Sequence, residues 1–165
     1  MMSDGNDNSP GILLSKLRIP QPAARFVSRP HLIARLNGGM AGRATFLTAP
    51  AGYGKTTLVG EWARQTGVPV GWLSLDVKDN DLARFWRYVT HSIERAIGQL
   101  PSTVHAAADA LKPGQAEPFL VQLLNELNVL PNPLALIWDD WHLIAEPEIA
   151  DSVSFFLEYL PPSVH

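Results

Sequence analysis

The chain has 165 residues, 46% of them hydrophobic, and its formal net charge is −3. This length suits a single domain with a packed core, and a weakly acidic chain does not carry the basic footprint of a nucleic-acid-binding protein. The lack of any cysteine excludes disulfides, thiol catalysis and zinc–thiolate sites.

The N-terminal region is predicted to contain little regular structure. Residues 1–12 are rich in Asn, Asp, Ser and Gly and are expected to form a disordered leader. Residues 13–43 are predicted to form an extended arm and a short helix, with Ser28 as the helix cap, Pro30 in the first turn and a Gly-Gly pair at the end. The start lacks the features of a signal peptide, and no apolar run reaches membrane-spanning length, so a cytoplasmic protein with no membrane partner is expected.

A glycine-containing loop lies between a predicted strand at 44–48 and a predicted helix at 55–66. Strand, loop and helix in this order are the context of a phosphate-binding loop, or Walker A motif. The usual pattern opens with glycine where this chain has Ala49, a small departure that a negative φ tolerates. The candidate nucleotide-binding residues of the loop are Ala49, Pro50, Ala51, Gly52, Tyr53, Gly54, Lys55, Thr56 and Thr57.

Each residue type in the loop has a predicted task. Gly52 and Gly54 allow the backbone to curl so that several N–H groups point into one cup, to which the helix N-terminus adds partial positive charge. Lys55 is predicted to reach the β- and γ-phosphates and is a candidate catalytic residue. The Thr56 hydroxyl is a predicted Mg²⁺ ligand, and Thr57 is expected near the α-phosphate.

The remainder of the chain alternates between strand and helix patterns. A strand is predicted at 69–76, followed by a long helix that Asp79, Asn80 and Asp81 cap and that runs to about Gly98. Residues 99–116 are ambiguous but in part helical. Further helices are predicted at about 118–130 and, after an intervening strand, from Pro147 to about residue 160. Such alternation predicts a parallel α/β sheet.

An apolar run at 134–138 ends in Asp139 and Asp140. Continuous apolar runs are typical of buried parallel strands, and ligands bind at the C-terminal ends of such strands. Together with the upstream loop, the run is interpreted as a Walker B element. Asp139 is then the predicted direct or second-sphere partner of Mg²⁺, and Asp140 the candidate catalytic residue that orients or deprotonates the attacking water.

The histidines suggest no metal site by their spacing along the sequence. His142 follows the acidic run closely, and packing or hydrogen bonding within the turn is its favoured role over sensing the state of the strand. The histidines are His31, His91, His105, His142 and His165.

The chain resembles the start of the nucleotide-binding domain of MalT-like, LuxR-type ATP-dependent transcriptional regulators, which are STAND ATPases related to the NACHT and NB-ARC switches. The resemblance covers about residues 13–165. It rests on Leu14-Ser15-Lys16-Leu17, Pro20, Val27-Ser28-Arg29-Pro30, the loop 49–57, Trp72 to Asp76, Asp79-Asn80-Asp81, Phe85-Trp86, Asp139 to Ile144 and Leu160-Pro161-Pro162.

The resemblance implies a switch that rests with ADP and, with ATP, self-associates after an inducer binds elsewhere. It implies ATP, ADP and Mg²⁺ as ligands, and contact with DNA only through a C-terminal helix-turn-helix domain. It places the backbone of Val27 and Ser28 next to adenine, and Arg29 beside a phosphate or at a hinge. A solvated surface arginine is the alternative for Arg29.

The resemblance further implies that residues 44–165 are a three-layer, parallel-sheet P-loop NTPase core from which C-terminal strands are missing. One missing strand would lie between 44–48 and 134–139, so the expectation is a truncated product with a gap in its sheet. Three functions therefore remain open: a switch with slow ATP hydrolysis, a small-molecule kinase, and a fragment that binds no nucleotide.

Overall fold

The computed structural model describes residues 11–22 and 26–165. The strands are β1 (Val70–Ser74) and β2 (Ala135–Asp139). Short 3₁₀ turns occupy Leu14–Leu17, Val77–Asp79 and Trp141–Leu143. The helices are α1 (Pro30–Gly39), α2 (Lys55–Gln65), α3 (Leu82–Ile97), α4 (Ser102–Asp109), α5 (Ala116–Asn128) and α6 (Pro147–Glu158).

The two strands pair in parallel, with Val70 opposite Ala135 and Ser74 opposite Asp139. The far edge of β2 begins a second pairing with the end of the chain. There the His165 N–H donates to the Leu134 carbonyl at 2.9 Å, and the Leu136 N–H donates to the His165 carbonyl at 2.7 Å. The order across the sheet is therefore β1, β2 and then residues 163–165.

Successive residues of a strand point to opposite sides of the sheet. In both strands the residues on each side are mostly apolar, so apolar side chains cover both faces of this small sheet. On one face, Leu73 and Leu136 join a large cluster built on α3, α5 and α6. On the other face, Ala135 and Ile137 pack with Trp62 of α2. The sheet thus separates α2, which follows the glycine loop, from the main core around α3.

The predicted helices are present, and of the three residues expected to cap α3 only Asp81 does so. The Asp81 carboxylate accepts a hydrogen bond from the Arg84 N–H at 2.8 Å and caps α3. Gly98 ends α3 with a φ of 92°, a conformation that glycine adopts without strain. The ambiguous stretch at 99–116 contains α4, so its partly helical character is confirmed. Among the described residues, no helix is both long enough and apolar enough to cross a bilayer.

The predicted strand at 44–48 does not form. Every residue from 41 to 51 is exposed, and Phe46 exposes 76% of its surface. A strand requires a neighbouring strand for its backbone hydrogen bonds. Here a cleft of about 810 Å³ lies between this segment, β2 and α6, so the segment has no strand of the described residues beside it. His165 bridges the opening, with Nδ1 2.7 Å from the Gly42 carbonyl and Nε2 3.0 Å from the Thr45 hydroxyl.

Two further expectations at the N-terminus need correction. Ser28 does not cap α1: the residue before the helix is Arg29, and the Ser28 hydroxyl instead donates to the Glu61 carboxylate on α2. Of the predicted leader, residues 1–10 lie outside the described residues, but Ile12 is partly buried against the main core. The ordered arm therefore begins earlier than the composition indicated.

Candidate nucleotide-binding site

The glycine loop leads directly into α2. Gly52 and Gly54 have φ values of 80° and 77°, a left-handed conformation that glycine adopts without strain and that lets the backbone curl as predicted. Gly54 occupies the cap position, and its carbonyl accepts from the Leu58 N–H at 2.9 Å, so helical hydrogen bonding starts immediately after the loop. The free N–H groups of the first turn of α2 and its partial positive charge therefore lie beside residues 49–54.

Lys55 folds back over this loop. Its Nζ donates to the Ala49 carbonyl at 2.7 Å and to the Pro50 carbonyl at 3.2 Å. These contacts hold the ammonium group above the loop backbone. A bound phosphate would offer charged oxygens in place of the two neutral carbonyls, and charge-assisted hydrogen bonds are roughly twice as strong as neutral ones.

The end of β2 brings a carboxylate to the same place. Burial raises the pKa of the Asp139 carboxyl, and the neighbouring charge of Asp140 adds to this rise. A hydrogen bond from the Thr56 hydroxyl and the nearby Lys55 ammonium act in the opposite direction. The structure therefore brings together the two predicted Mg²⁺ ligands, Thr56 and Asp139, from opposite ends of the sequence.

The raised pKa of Asp139 predicts how an uncharged residue at this position changes the stability of the fold. A carboxyl whose pKa is raised on folding contributes stability below the unfolded-chain pKa, and this contribution is lost as the pH rises through the folded-state pKa. At neutral pH the ionised Asp139 is thus destabilising in the nucleotide-free chain. We expect Asp139→Asn to unfold at an equal or higher temperature than the parent at pH 7, with the difference shrinking at low pH. Thermal unfolding followed by circular dichroism measures this, and Asp151→Asn on α6 is the exposed control. A clear loss of stability at pH 7 would contradict the assignment.

Asp140 has an unusual backbone. Its φ of 61° is the only positive φ at a non-glycine position among the described residues, and such strain is concentrated at functional sites. Its side chain is exposed and lines the large cleft together with Asp139 and Lys55. His142 lies in the turn that follows, but 69% of its side chain is exposed and its Nδ1 is 3.9 Å from the Asp140 carboxylate, so the packing or hydrogen bonding expected of it is not seen.

Asn80 holds the segment that follows the acidic pair, a role that sequence reasoning missed. Its Nδ2 donates to the Leu143 carbonyl at 2.8 Å. Its Oδ1 accepts from the Ala145 N–H at 2.6 Å and from the Glu146 N–H at 3.0 Å. The sequence predicted Asn80 only as part of a helix cap. The partners lie more than sixty positions away along the chain, and no local pattern signals such contacts.

The arm that precedes α1 lies against the loop. Arg29 Nη1 donates to the Tyr53 carbonyl at 3.0 Å, and Ser28 contacts Glu61 on α2. Val27 exposes 82% of its surface. These contacts enclose a second cleft of about 250 Å³, lined by Phe26, Val27, Arg29, Gly52, Gly54, Thr57, Leu58 and Glu61. The structure thus places predicted residues 27–29 beside the loop, with Arg29 bound to the loop backbone.

Comparison with known proteins shows a sequence relationship to a regulator. No family model matches this chain. The chain is similar to the HTH-type transcriptional regulator MalT of Cronobacter sakazakii (strain ATCC BAA-894), with 37% identity over 150 residues. The match covers 91% of this chain but 16% of that regulator. The described features therefore correspond to one segment of a much longer relative, and the similarity supports a MalT-like segment.

Proposed function

We propose that this chain is the ATP- and ADP-binding module of a MalT-type transcriptional regulator, a switch with slow ATP hydrolysis. One observation carries the proposal: Lys55 of the glycine loop and the acidic end of β2, Asp139 and Asp140, line the same cleft. Thr56 is close enough to Asp139 to lower its pKa. In this reading the chain is part of a P-loop NTPase core with a three-layer arrangement. The similarity to MalT favours a regulator over a small-molecule kinase.

The phosphates of the nucleotide would bind in the loop. Two glycines in the left-handed conformation and the start of α2 provide N–H groups and partial positive charge for an anion. Lys55 would exchange its bonds with Ala49 and Pro50 for bonds with the β- and γ-phosphates. Its position at the first residue of α2 keeps its side chain within reach of both sets of partners.

The Thr56 hydroxyl and the Asp139 carboxylate fit Mg²⁺, because this ion prefers oxygen ligands and takes one or two from the protein with the rest from phosphate and water. A bound Mg²⁺ neutralises charge on the phosphates and so supplies electrostatic stabilisation during phosphoryl transfer. The ion would also remove the cost of keeping Asp139 ionised in a half-buried position. Nucleotide binding and ionisation of Asp139 would therefore favour each other.

The second cleft would accept the base. Phe26 and Val27 provide apolar surface there, and the backbone next to them offers hydrogen-bonding groups for an adenine edge. Arg29 already bonds to the loop at Tyr53. In the proposed complex Arg29 would either touch a phosphate or act as the hinge between the arm and the loop.

Asp140→Asn is expected to separate binding from hydrolysis. The amide retains the size of the side chain but no longer accepts a proton from water, so Mg-ATP affinity should stay within about threefold while turnover falls about 10²–10⁴-fold, the usual contribution of a general base. Single-turnover hydrolysis and equilibrium binding on the same samples measure both quantities. Asp151→Asn, on the exposed side of α6, is the matched control. Hydrolysis at the parental rate would show that Asp140 is not the general base. Loss of Mg-ATP binding would show that Asp140 contributes to binding of the nucleotide.

The wider switch is part of the same proposal. ATP-dependent self-association would follow from exchange of ADP for ATP in this module. DNA would be contacted by a helix-turn-helix segment outside these residues, consistent with the net charge of −3 here. The rival proposal, a fragment that does not retain nucleotide, is favoured by the exposed segment 44–50, which leads into the loop but does not pair with either described strand.

A further inference from the structure

Two histidines and a glutamate converge at the junction of α3 and α4, on the face of the sheet opposite α2. His91 and Glu94 are three residues apart on α3 and so lie on one side of that helix. His105 comes from α4, which packs against α3 after a short turn that begins at Gly98. The three residues are far from Thr56 and Asp139 along the sequence, and they belong to the main core region rather than to the glycine loop.

The distances among these side chains suit coordination of one ion. His105 Nε2 lies 3.2 Å, and His91 Nδ1 3.6 Å, from the same Glu94 carboxylate oxygen. One ligand atom from each residue lies within 4.8 Å of the other two. In a tetrahedral zinc centre with bonds of about 2.0–2.2 Å, neighbouring ligand atoms are about 3.3–3.6 Å apart. The 3.6 Å separation falls in this range, the 3.2 Å separation is just below it, and the third, between the two imidazoles, is at most 4.8 Å.

The orientation of His105 distinguishes the cluster from an ordinary ion pair. Both of its ring nitrogens are buried, and neither makes a hydrogen bond of good geometry, although Nε2 is close to Glu94. A buried polar atom without a partner is costly. The rings of His91 and His105 lie 4.6 Å apart at 37°, so the two imidazoles occupy one space between α3 and α4.

We infer that His91, Glu94 and His105 form a three-ligand site for Zn²⁺ or a chemically similar divalent transition ion. Imidazole suits zinc, copper and nickel, whereas Mg²⁺ and Ca²⁺ prefer sites composed of oxygen. This site is therefore chemically distinct from the one proposed at Thr56 and Asp139. The ion would link α3 to α4 and would leave one coordination position for water or another ligand.

The short turn between the helices makes the site largely pre-organised. Gly98 ends α3, and the Val104 N–H donates to the Pro101 carbonyl at 2.9 Å at the start of α4. Val104 and Ala108 are buried where α4 meets the core. Because this packing already holds His105 against α3, binding would need little backbone rearrangement and should stabilise the α3–α4 junction.

Zinc titration of the chelator-treated chain, without an affinity tag, tests the inference. The expected result is one Zn²⁺ per chain by calorimetry, a higher unfolding temperature, and an intense visible spectrum when Co²⁺ replaces Zn²⁺. His105→Gln and Glu94→Gln should each weaken binding at least about 100-fold, since losing a ligand exceeds the 10–100-fold effect of losing an outer-shell partner. His31→Gln, at an exposed position on α1, should bind as the parent does.

Either of two results would overturn the site. The first is an absence of stoichiometric Zn²⁺ binding to the folded parent. The second is equal binding by the parent and both ligand variants, which would mean capture by surface histidines. Circular dichroism shows whether His105→Gln folds, and Glu94→Gln serves independently because Glu94 is more exposed. Lys55→Ala should leave zinc binding unchanged, so failure of the nucleotide proposal would not affect this one.

Discussion

Replacing Lys55 with alanine is expected to weaken binding of Mg-ATP by at least about 100-fold. Its ammonium group lies above the loop in two hydrogen bonds with backbone carbonyls. On binding it would make charge-assisted bonds with phosphate, worth about 1.5–3 kcal/mol each. Two such bonds account for the predicted loss, since about 1.4 kcal/mol corresponds to a tenfold change in affinity. Displacement of a fluorescent ATP analogue from the chain measures the effect.

Lys112→Ala provides the matched control for this experiment. Lys112 is exposed and lies between α4 and α5, away from the loop. Like Lys55→Ala, this substitution removes one positive charge. It therefore shows how much of a loss in Mg-ATP affinity is a general electrostatic effect on an anionic ligand. Parental affinity in Lys55→Ala, or an equal loss in both variants, would show that the loop is not the phosphate site.

Replacing Asp79 with alanine should have the largest effect on folding. The Asp79 side chain is completely buried and accepts hydrogen bonds from Lys16 and, at 3.0 Å, from Arg84 Nε. It also accepts from the Asp76 N–H at 2.8 Å. Without it, Lys16 keeps a side chain only 7% exposed and retains only the half-exposed Asp76, 3.0 Å away, as a counter-charge. Breaking a buried pair in this way costs about 3–5 kcal/mol, a large part of the roughly 5–15 kcal/mol that stabilises a domain.

Urea unfolding of Asp79→Ala beside Asp109→Ala tests this prediction. Asp109 pairs with Arg87 at the surface, where both side chains are at least one-third exposed, so its removal should cost only about 0–1 kcal/mol. Similar midpoints for the two variants would mean that the buried network contributes little. The expected loss would extend to the candidate site, because the neighbouring Asn80 holds the segment after Asp140.

The parts of the fold that could be predicted are those with a local physical cause. Phe85, Val89 and Ile93 recur at helical spacing in the sequence, and all three are fully buried on one face of α3. The glycine loop was likewise predictable, because Gly52 and Gly54 adopt the left-handed conformation that only glycine enters freely.

The parts that could not be predicted depend on contacts between distant segments. The apolar run at 44–48 has strand propensity but no adjacent strand, so the propensity is not realised. Ser28 fits the pattern of a helix cap, yet Glu61 on α2 takes its hydroxyl. His105 meets His91 and Glu94 only because α4 folds back onto α3, and the spacing of histidines along the chain gives no sign of it.

Calorimetric titration of this chain with Mg-ADP and Mg-ATP tests the central claim most directly. The account predicts saturable binding of one nucleotide per chain, weakened when Mg²⁺ is chelated because Thr56 and Asp139 then lose the ion that links them to the phosphates. A cooperatively folded chain that takes up neither nucleotide would contradict the account. It would establish instead that the loop at 49–57, though correctly shaped, does not form a working phosphate site in this polypeptide.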